Sequence, residues 1–215
     1  MKTEYSDEYK YWSKVAGTFD DDNPYIIGEA TNSAVRAWLE GQFRDQDVVL
    51  ELGCGTGFTS TMIARIAKHL TATDMSEEML ERASANLGDL NNVRIQVEDC
   101  YGTSFADGAF DAVLLANVIH VVRRPKDVMR EAWRVLKPGG RVVLVDYTSY
   151  GLTPEDKKAM MRRYFSRWGE VPPWSFAASP ERLRGLAVAT GFEVEEAILI
   201  GEGSKAVCLR GRKIL

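Results

Sequence analysis

Cysteine is scarce in this chain of 215 residues, and long apolar runs are absent from it. The three cysteines, Cys54, Cys100 and Cys208, are spaced too widely to predict a disulfide framework or a zinc site. No apolar run reaches the roughly 18 residues that cross a bilayer, and no signal-like apolar segment is seen. We therefore expect neither membrane spanning nor secretion, and predict a cytoplasmic protein.

The charge balance argues against a second group of functions. The chain carries 27 Lys and Arg against 31 Asp and Glu, a net charge of −4, which does not favour non-specific binding to nucleic acid. Apolar residues make up 45% and charged residues 27%, as in soluble globular domains. There is no repeat, low-complexity stretch or linker, so we predict a single domain over residues 1–215.

The most informative stretch is VVLELGCGTGFTS, residues 48–60. A short apolar run ends at Glu51, three glycines follow at alternate positions, and helix-compatible residues come next. This order predicts the first strand–turn–helix unit of a parallel sheet. Glycine permits positive φ and close approach of a ligand, and the N-terminus of the helix attracts an anionic group. A tight turn that binds nothing is the alternative.

Two common phosphate-binding motifs do not fit this loop. The Walker motif needs Gly-Lys-Ser/Thr, but Gly57 is followed by Phe58 and Thr59. The dinucleotide fingerprint needs its third glycine at the position of Phe58. The sequence ELGCGTG instead resembles the first motif of the class I S-adenosylmethionine-dependent methyltransferases, of type 11, which includes enzymes of ubiquinone and menaquinone biosynthesis.

In that family the glycine loop wraps the methionyl and ribose parts of the cofactor. The resemblance therefore implies that S-adenosyl-L-methionine is the cofactor and S-adenosyl-L-homocysteine the product. The positions that it assigns to cofactor binding in this loop are Glu51, Gly53, Cys54, Gly55 and Gly57.

An acid ends the second predicted strand, LTATD. Asp74 lies 17 residues after Gly57, close to where nucleoside-binding α/β domains place a carboxylate for the ribose hydroxyls. Each carboxylate oxygen can accept one O–H bond from a vicinal diol. Met75 follows, in position to pack on adenine. The alternative is that Asp74 only caps the helix that begins just after it.

The third and fourth predicted strands, VRIQV and FDAVLLA, end in further polar residues. In the family that the chain resembles, an acid after the third strand accepts a bond from the adenine amino group, and Asp99, followed by Cys100, matches that position. An acid in a strand-end turn is the alternative. Asn117 ends the fourth strand, at the edge where open α/β sheets bind ligands. The sequence NVIH here lacks the Asn/Asp-Pro-Pro-Tyr/Phe signature of enzymes that methylate nucleobase amines.

One residue is a candidate for acid–base catalysis. His120 follows the fourth strand on the ligand-binding edge, and histidine suits proton removal near neutral pH. The sulfonium cofactor already carries a good leaving group, so orientation is the main need and a base serves only a weakly acidic acceptor. A packed or merely exposed histidine is the alternative. His69, at the start of a strand, is interpreted as structural.

Aromatic residues predict two segments that cover the site. An apolar stripe at helical spacing runs through residues 1–20, formed by Tyr5, Tyr9, Trp12, Ala16 and Phe19. WSKVAGTFDDDNP resembles the segment before the glycine motif in quinone-type methyltransferases, which implies an N-terminal lid over residues 1–27 with Phe19 near the cofactor. A helix that only packs on the domain is the alternative.

The second covering segment is an insertion at residues 148–178, where related enzymes build the acceptor pocket. Its aromatic content indicates a small, apolar or flat acceptor, although a plain packed helix is the alternative. The residues at helical spacing in it are Met160, Met161, Tyr164, Phe165 and Trp168.

The alternation of strands and helices, followed by a terminal hairpin, predicts the fold class. It is a three-layer α/β sandwich with a Rossmann-like, mostly parallel sheet of seven strands and an antiparallel end. The predicted function is methyl transfer to a small molecule, with no metal. A methyltransferase-like binding protein without catalysis, a nicotinamide-dependent oxidoreductase and a protein methyltransferase are the rivals. The acceptor atom and the oligomeric state are not predicted.

Overall fold

The computed structural model describes residues 6–214, which form eight helices and seven strands. The helices are α1 (Ser6–Ser13), α2 (Phe19–Ile27), α3 (Glu29–Glu40), α4 (Ser60–Ile66), α5 (Glu77–Leu87), α6 (Pro125–Val135), α7 (Pro154–Trp168) and α8 (Pro180–Val188). The strands are β1 (Val48–Leu52), β2 (His69–Asp74), β3 (Val93–Val97), β4 (Phe110–Ala116), β5 (Leu136–Thr148), β6 (Phe192–Ile200) and β7 (Lys205–Lys213). No helix in this range is long and apolar enough to cross a membrane.

All seven strands join one sheet, in the order β3-β2-β1-β4-β5-β7-β6. Strands β1 to β5 are parallel, and β7 lies antiparallel between β5 and β6. The predicted Rossmann-like sandwich with an antiparallel end is confirmed. The strand order reverses between β1 and β4, and at such a point the loops diverge to leave a crevice at the carboxyl ends of the strands.

The central strands are buried on both faces, because helices cover both sides of the sheet. In β4, Val113 and Leu115 belong to the core on one side, whereas Ala112 and Leu114 belong to the core on the other. This alternation follows from the two-residue period of a strand. It explains why these strands are continuous apolar runs in the sequence.

Local sequence signals mark the starts of three helices. The side chains of Ser76, Thr153 and Ser179 each accept a backbone N–H from the first turn of α5, α7 and α8. One face of α5 is buried, and it consists of Met79, Leu80, Ala83 and Leu87.

The prediction of one aromatic helix near the N-terminus is wrong. Helix α1 ends at Ser13, residues 14–18 form turns, and Phe19 begins a second helix. Gly17 lies in the break, and glycine is unfavourable inside a helix. Tyr5 lies outside the described residues. The break lets Trp12 and Phe19 reach the same cavity from two different helices.

The sequence GEATNSAVRAWLEGQF predicts an amphipathic helix whose inward residues are Ala30, Ala34, Val35, Trp38 and Leu39, and for Ala30 this prediction is wrong. Ala30 is exposed, and the buried positions next to it are Thr31 and Asn32. Both polar residues are buried because they are hydrogen-bonded: Thr31 donates to the carbonyl oxygen of Glu202 at 3.1 Å, and Asn32 accepts from the hydroxyl of Tyr147. The sequence RVVLVDY predicts a strand from Arg141, whereas β5 begins earlier, at Leu136, and its register opposite β4 is irregular.

A buried ion pair lies at the edge of the sheet opposite the crevice. The guanidinium of Arg141 in β5 binds the carboxylate of Asp47, which precedes β1, and both side chains are about nine-tenths buried. Arg141→Met leaves the Asp47 carboxylate buried without a cation, so we expect the free energy of unfolding to fall by about 3–5 kcal/mol. Urea unfolding measures the change.

Arg212 provides the control, since it lies directly across from Arg141 on β7. It pairs with Glu195 at 2.8 Å but its side chain is 41% exposed. Arg212→Met should therefore cost less than about 1 kcal/mol. Equal losses for the two variants would contradict the assignment of a stabilising role to the buried pair.

Candidate active site

A cavity of about 220 Å³ lies at the carboxyl ends of β1 to β4, where the strand order reverses. Ten of the twelve residues predicted for the site line it: Phe19, Gly53, Cys54, Gly55, Asp74, Met75, Asp99, Cys100, Asn117 and His120. Glu51 and Gly57 do not line it. The fold thus brings most of the predicted residues together, and the contact of each with a cofactor stays a prediction.

The carboxylate of Asp74 joins the glycine loop to the end of β2. One oxygen, Oδ2, accepts the N–H of Gly55 at 2.9 Å, and Oδ1 accepts the N–H of Ser76 at 2.9 Å. The cap of α5 is Ser76 and not Asp74. Each oxygen retains a further lone pair that can accept a hydroxyl. Burial raises the pKa of this carboxyl above its ordinary value.

The three glycines of the loop have different surroundings. A Cβ at Gly53 would lie 2.6 Å from Cγ2 of Val118, and one at Gly57 would lie 3.0 Å from Cδ1 of Leu87. At Gly55 the nearest atom would be Sδ of Met79 at 3.9 Å, and both residues line the cavity. Gly53 and Gly57 therefore permit close packing of the loop, whereas Gly55 keeps the cavity open beside the backbone.

Glu51 supports the loop from behind. Its side chain is fully buried, and Oε2 accepts the hydroxyl of Ser60 at 2.5 Å. Oε1 has no hydrogen-bond partner among residues 6–214. Burial raises the pKa of this carboxyl to about 7.

Two thiols and a further carboxylate also line the cavity. Burial raises the pKa of the Cys54 and Cys100 thiols well above the ordinary value, so both remain protonated at neutral pH. A protonated, buried thiol is a weak nucleophile. Asp99 accepts the N–H of Tyr101 through Oδ1 at 2.9 Å, which fixes its carboxylate at the cavity.

Asn117 turns the chain at the end of β4. Its φ of 61° is the one positive value outside glycine in the described part of the chain, and asparagine tolerates this conformation. Its side-chain Oδ1 accepts the N–H of Tyr147 at 2.9 Å, and its own N–H donates to the carbonyl oxygen of Val145 at 2.6 Å. These bonds tie the end of β4 to β5 and direct the following loop over the cavity.

His120 lies in that loop and pairs with a residue that the sequence analysis missed. Its Nδ1 is 2.6 Å from Oδ1 of Asp146, near the end of β5. The Asp146 side chain is fully buried, whereas the His120 side chain is 19% exposed. Asp146 closes the apolar run VVLVD just as Asp74 closes LTATD, so the same sequence signal was available for it.

Aromatic residues from α1, α2 and α7 cover the cavity. The rings of Phe19 and Trp168 stack with centroids 5.2 Å apart and planes at 5°, and the hydroxyls of Tyr11 and Tyr164 are 2.9 Å apart. In the insertion, Met160, Tyr164 and Trp168 line the cavity; Met161 and Phe165 do not, and Phe165 is 51% exposed.

Polar bonds connect this cover to the strand ends. The hydroxyl of Thr56, in the glycine loop, donates to Asp20 of α2 at 2.5 Å. The hydroxyl of Tyr101, after β3, donates to Glu8 of α1 at 2.8 Å. These partners are distant in sequence, and no local pattern predicts their pairing. A glycine loop, a carboxylate at the end of the next strand and an aromatic cover meet at the carboxyl edge of the sheet, where open α/β folds bind ligands.

Several known proteins are similar to this chain in sequence or in fold. Residues 50–144 match a family model described as a methyltransferase domain. A demethylmenaquinone methyltransferase of Clavibacter sepedonicus is 36% identical over 101 residues, covering 47% of this chain and 41% of that protein. An uncharacterized methyltransferase of Bacillus subtilis (strain 168) is 29% identical over 147 residues, covering 67% of this chain and 55% of the relative.

A solved structure shows the same fold over nearly the whole chain. A SAM-dependent methyltransferase from Aquifex aeolicus has a TM-score of 0.70 and 17% sequence identity, covering 94% of this chain and 98% of that one. The chain therefore shares the fold of this structure, and its residues 50–144 are similar to a methyltransferase domain. The chain spans about half the length of each of these two curated relatives.

The raised pKa of Glu51 predicts how stability depends on pH. The carboxyl titrates near 4.5 when unfolded and near 7 when folded, so the folded state binds the proton more tightly. Its contribution to the free energy of unfolding is largest below pH 4.5 and declines as the pH rises to about 7. Glu51→Gln should remove this decline, which we expect to be on the order of 1–3 kcal/mol.

The measurement is urea unfolding of both proteins at several pH values, with the difference between the two curves assigned to Glu51. Glu131 is the control, because hydrogen bonds from Arg134 and Thr103 lower its pKa. The contribution of Glu131 is lost as the pH falls, so Glu131→Gln should give a difference of opposite slope. Parallel curves for Glu51→Gln and the unmodified protein would show that Glu51 titrates alike in both states.

Proposed function

We propose that this chain is an S-adenosylmethionine-dependent methyltransferase that moves the sulfonium methyl group to a small, apolar or flat acceptor by in-line displacement. The observation that carries the proposal is the hydrogen bond between the Gly55 N–H and the Asp74 carboxylate at the cavity wall. It holds an open glycine backbone and an acceptor for hydroxyls side by side, which is the arrangement that a nucleoside needs.

The residues around this bond fit the cofactor. Asp74 retains lone pairs for the two ribose hydroxyls, and Met75 and Asp99 stand at the cavity for the adenine ring and its amino group. A Cβ at Gly55 would meet no atom closer than 3.9 Å, so the backbone there is open to a ligand. When bound, the cofactor supplies a methyl group on a good leaving group.

The cover indicates the kind of acceptor. Trp12, Phe19, Tyr164 and Trp168 enclose the cavity and present rings to it. An enclosed aromatic wall favours a small, flat molecule over a protein segment, which would need an open groove. The Clavibacter relative is named for demethylmenaquinone, and that name agrees with a flat acceptor.

The protein's contribution to the reaction is mainly orientation. Holding two reactants in line can supply ~7–11 kcal/mol of a bimolecular barrier. We assign the residues described in the 1–27 lid, with the 148–178 insertion, to the exclusion of water and the positioning of the acceptor. The hydrogen bonds from the Thr56 hydroxyl to Asp20 and from the Tyr101 hydroxyl to Glu8 support this role, because they fasten the lid to the loops that would hold the cofactor.

Ligand binding provides the first test. S-adenosylhomocysteine should raise the melting temperature, with ~2.7 kcal/mol of stabilisation at 100 times its Kd, whereas NAD should not. A shift with NAD alone would support an oxidoreductase instead. Conversion of S-adenosylmethionine to S-adenosylhomocysteine in the presence of flat aromatic acceptors then separates an enzyme from a binding protein.

A substitution in the glycine loop tests where the ligand lies. Gly55→Ala places a methyl group in open cavity space, at a φ of 54°. The backbone strain should cost the apo protein about 1–2 kcal/mol. Affinity for S-adenosylhomocysteine should fall at least tenfold, or about 1.4 kcal/mol, because the methyl group occupies the ligand's space. Calorimetric titration and urea unfolding measure the two effects.

Gly203 is the matched control for strain. Its φ is 70°, a Cβ there would meet nothing within 4 Å, and it lies between β6 and β7, outside the cavity. Gly203→Ala should lose similar stability but keep its affinity for S-adenosylhomocysteine. If both variants bind the ligand as the unmodified protein does, the loop is not the cofactor site.

A further inference from the structure

The buried carboxylate of Asp146 is not explained by the cofactor site. Its side chain is fully buried. The preceding residue, Val145, and the partner of Asp146 on β7, Val207, are apolar and also buried. Oδ1 has one partner, Nδ1 of His120, and Oδ2 has no hydrogen-bond partner in the described part of the chain. A buried, half-paired carboxylate is costly to keep, so a role for it is to be expected.

The bond between the two residues fixes the state of the imidazole. An ionised carboxylate can only accept hydrogen bonds, so Nδ1 of His120 must donate its hydrogen to Asp146. In the neutral ring the lone pair then belongs to Nε2. His120 lines the cavity, whereas Asp146 does not. In this pair, Nε2 of His120, which can take up a proton, is therefore on the cavity side, and the carboxylate of Asp146 is on the core side.

Both members of the pair are held by rigid parts of the fold. Asp146 sits within β5, between β4 and β7. The loop of His120 is fastened by the insertion: Phe176 donates its N–H to the His120 carbonyl oxygen at 3.1 Å, and the Trp174 indole N–H donates to the Val121 carbonyl oxygen at 2.7 Å. The same insertion lines the acceptor side of the cavity through α7. A catalytic group needs such support to stay in one geometry.

We propose that His120 removes a proton from the methyl acceptor through Nε2, that Asp146 is the residue that positions it, and that the acceptor belongs to a proton-bearing class, a phenol or an acidic C–H compound. This inference rests on the proposed methyl transfer. An acceptor with a free lone pair and no proton to lose would need no base.

The step balances in atoms and charge. The O–H or C–H bond of the acceptor breaks and its proton moves to Nε2 of His120. The electron pair left on the acceptor forms the new bond to the methyl carbon, and the pair of the broken S–C bond stays on sulfur as the thioether. The imidazolium, stabilised by the Asp146 carboxylate, then releases the proton to solvent.

A purely structural role makes a different forecast. If the pair only ties the loop of His120 to β5, replacing either residue lowers stability. The rate of methylation then does not depend on the imidazole tautomer or on whether the acceptor carries a proton. Spectroscopy distinguishes the two roles directly, because the chain contains only two histidines, His69 and His120. His69→Gln leaves a single imidazole signal, which assigns the spectrum.

The test begins with 15N-histidine-labelled protein and two-bond 1H–15N correlation spectra at about pH 8.5, where an ordinary histidine is neutral. His120 should be the Nδ1–H tautomer. In Asp146→Asn the side-chain amide can donate to Nδ1, so the proton should move to Nε2. A His120 that carries its hydrogen on Nε2 in the unmodified protein overturns the proposal, because that nitrogen could not accept a proton.

Kinetics with two matched probes complete the test. 2-Naphthol carries a proton on its nucleophilic atom, and isoquinoline, of the same ring size, has a lone pair and none. His120→Gln and Asp146→Asn should lower kcat for 2-naphthol by at least ~100-fold with little change in KM, and leave isoquinoline methylation within about threefold. A His120→Gln variant that methylates 2-naphthol at the unmodified rate contradicts the proposal.

Binding of S-adenosylhomocysteine separates this proposal from the one on which it rests. Both variants should bind it within twofold of the unmodified protein, because among the described residues no hydrogen bond joins His120 or Asp146 to the glycine loop or to the Asp74 side chain. If the substitutions at His120 and Asp146 do not lower kcat for 2-naphthol although the ligand still binds, only the proposed role of these two residues is refuted. Failure of the unmodified protein to bind refutes the methyltransferase proposal itself.

Discussion

The site depends on one hydrogen bond, from the Gly55 N–H to the Asp74 carboxylate. It joins the loop after β1 to the loop after β2, and it can form only because these strands are parallel neighbours whose carboxyl ends share an edge. The bond holds the glycine backbone facing the cavity and leaves further lone pairs of the carboxylate for a ligand. In a sheet with another strand order these two groups would lie apart, and the site would not form.

Three carboxylates repeat the same arrangement along the edge of the sheet. Glu51, Asp74 and Asp146 each lie near the carboxyl end of a strand, and each has at least one hydrogen-bond partner. Burial of a charge is unfavourable unless it is paired, so each carboxylate is set beside donors that the fold supplies. The partners differ: they are a hydroxyl for Glu51, two backbone N–H groups for Asp74 and an imidazole for Asp146.

The cover over the cavity shows how a binding site is completed from distant parts of the chain. Helices α1 and α2 and the insertion with α7 meet through Phe19 and Trp168, and polar bonds fasten them to the loops after β1 and β3. A cavity that is covered in this way strengthens the electrostatic interactions inside it, because less water screens them. Between the aromatic walls, His120, Asn117 and the acids are polar groups at the cavity that can orient a ligand.

The sequence by itself determined the order of the strands along the chain, the glycine loop, the starts of α5, α7 and α8 and the positions of Asp74, Asp99 and Asn117, because these features depend on apolar periodicity, backbone conformation and bonds between near neighbours. The tertiary structure alone decided the rest. It buried Thr31 and Asn32 and paired His120 with Asp146. These outcomes depend on groups far apart in the chain, and His120 and Asp146, for example, are separated by 26 residues. Composition and spacing carry no information on which distant donor will meet which acceptor, since that is set by how the strands are ordered in the sheet.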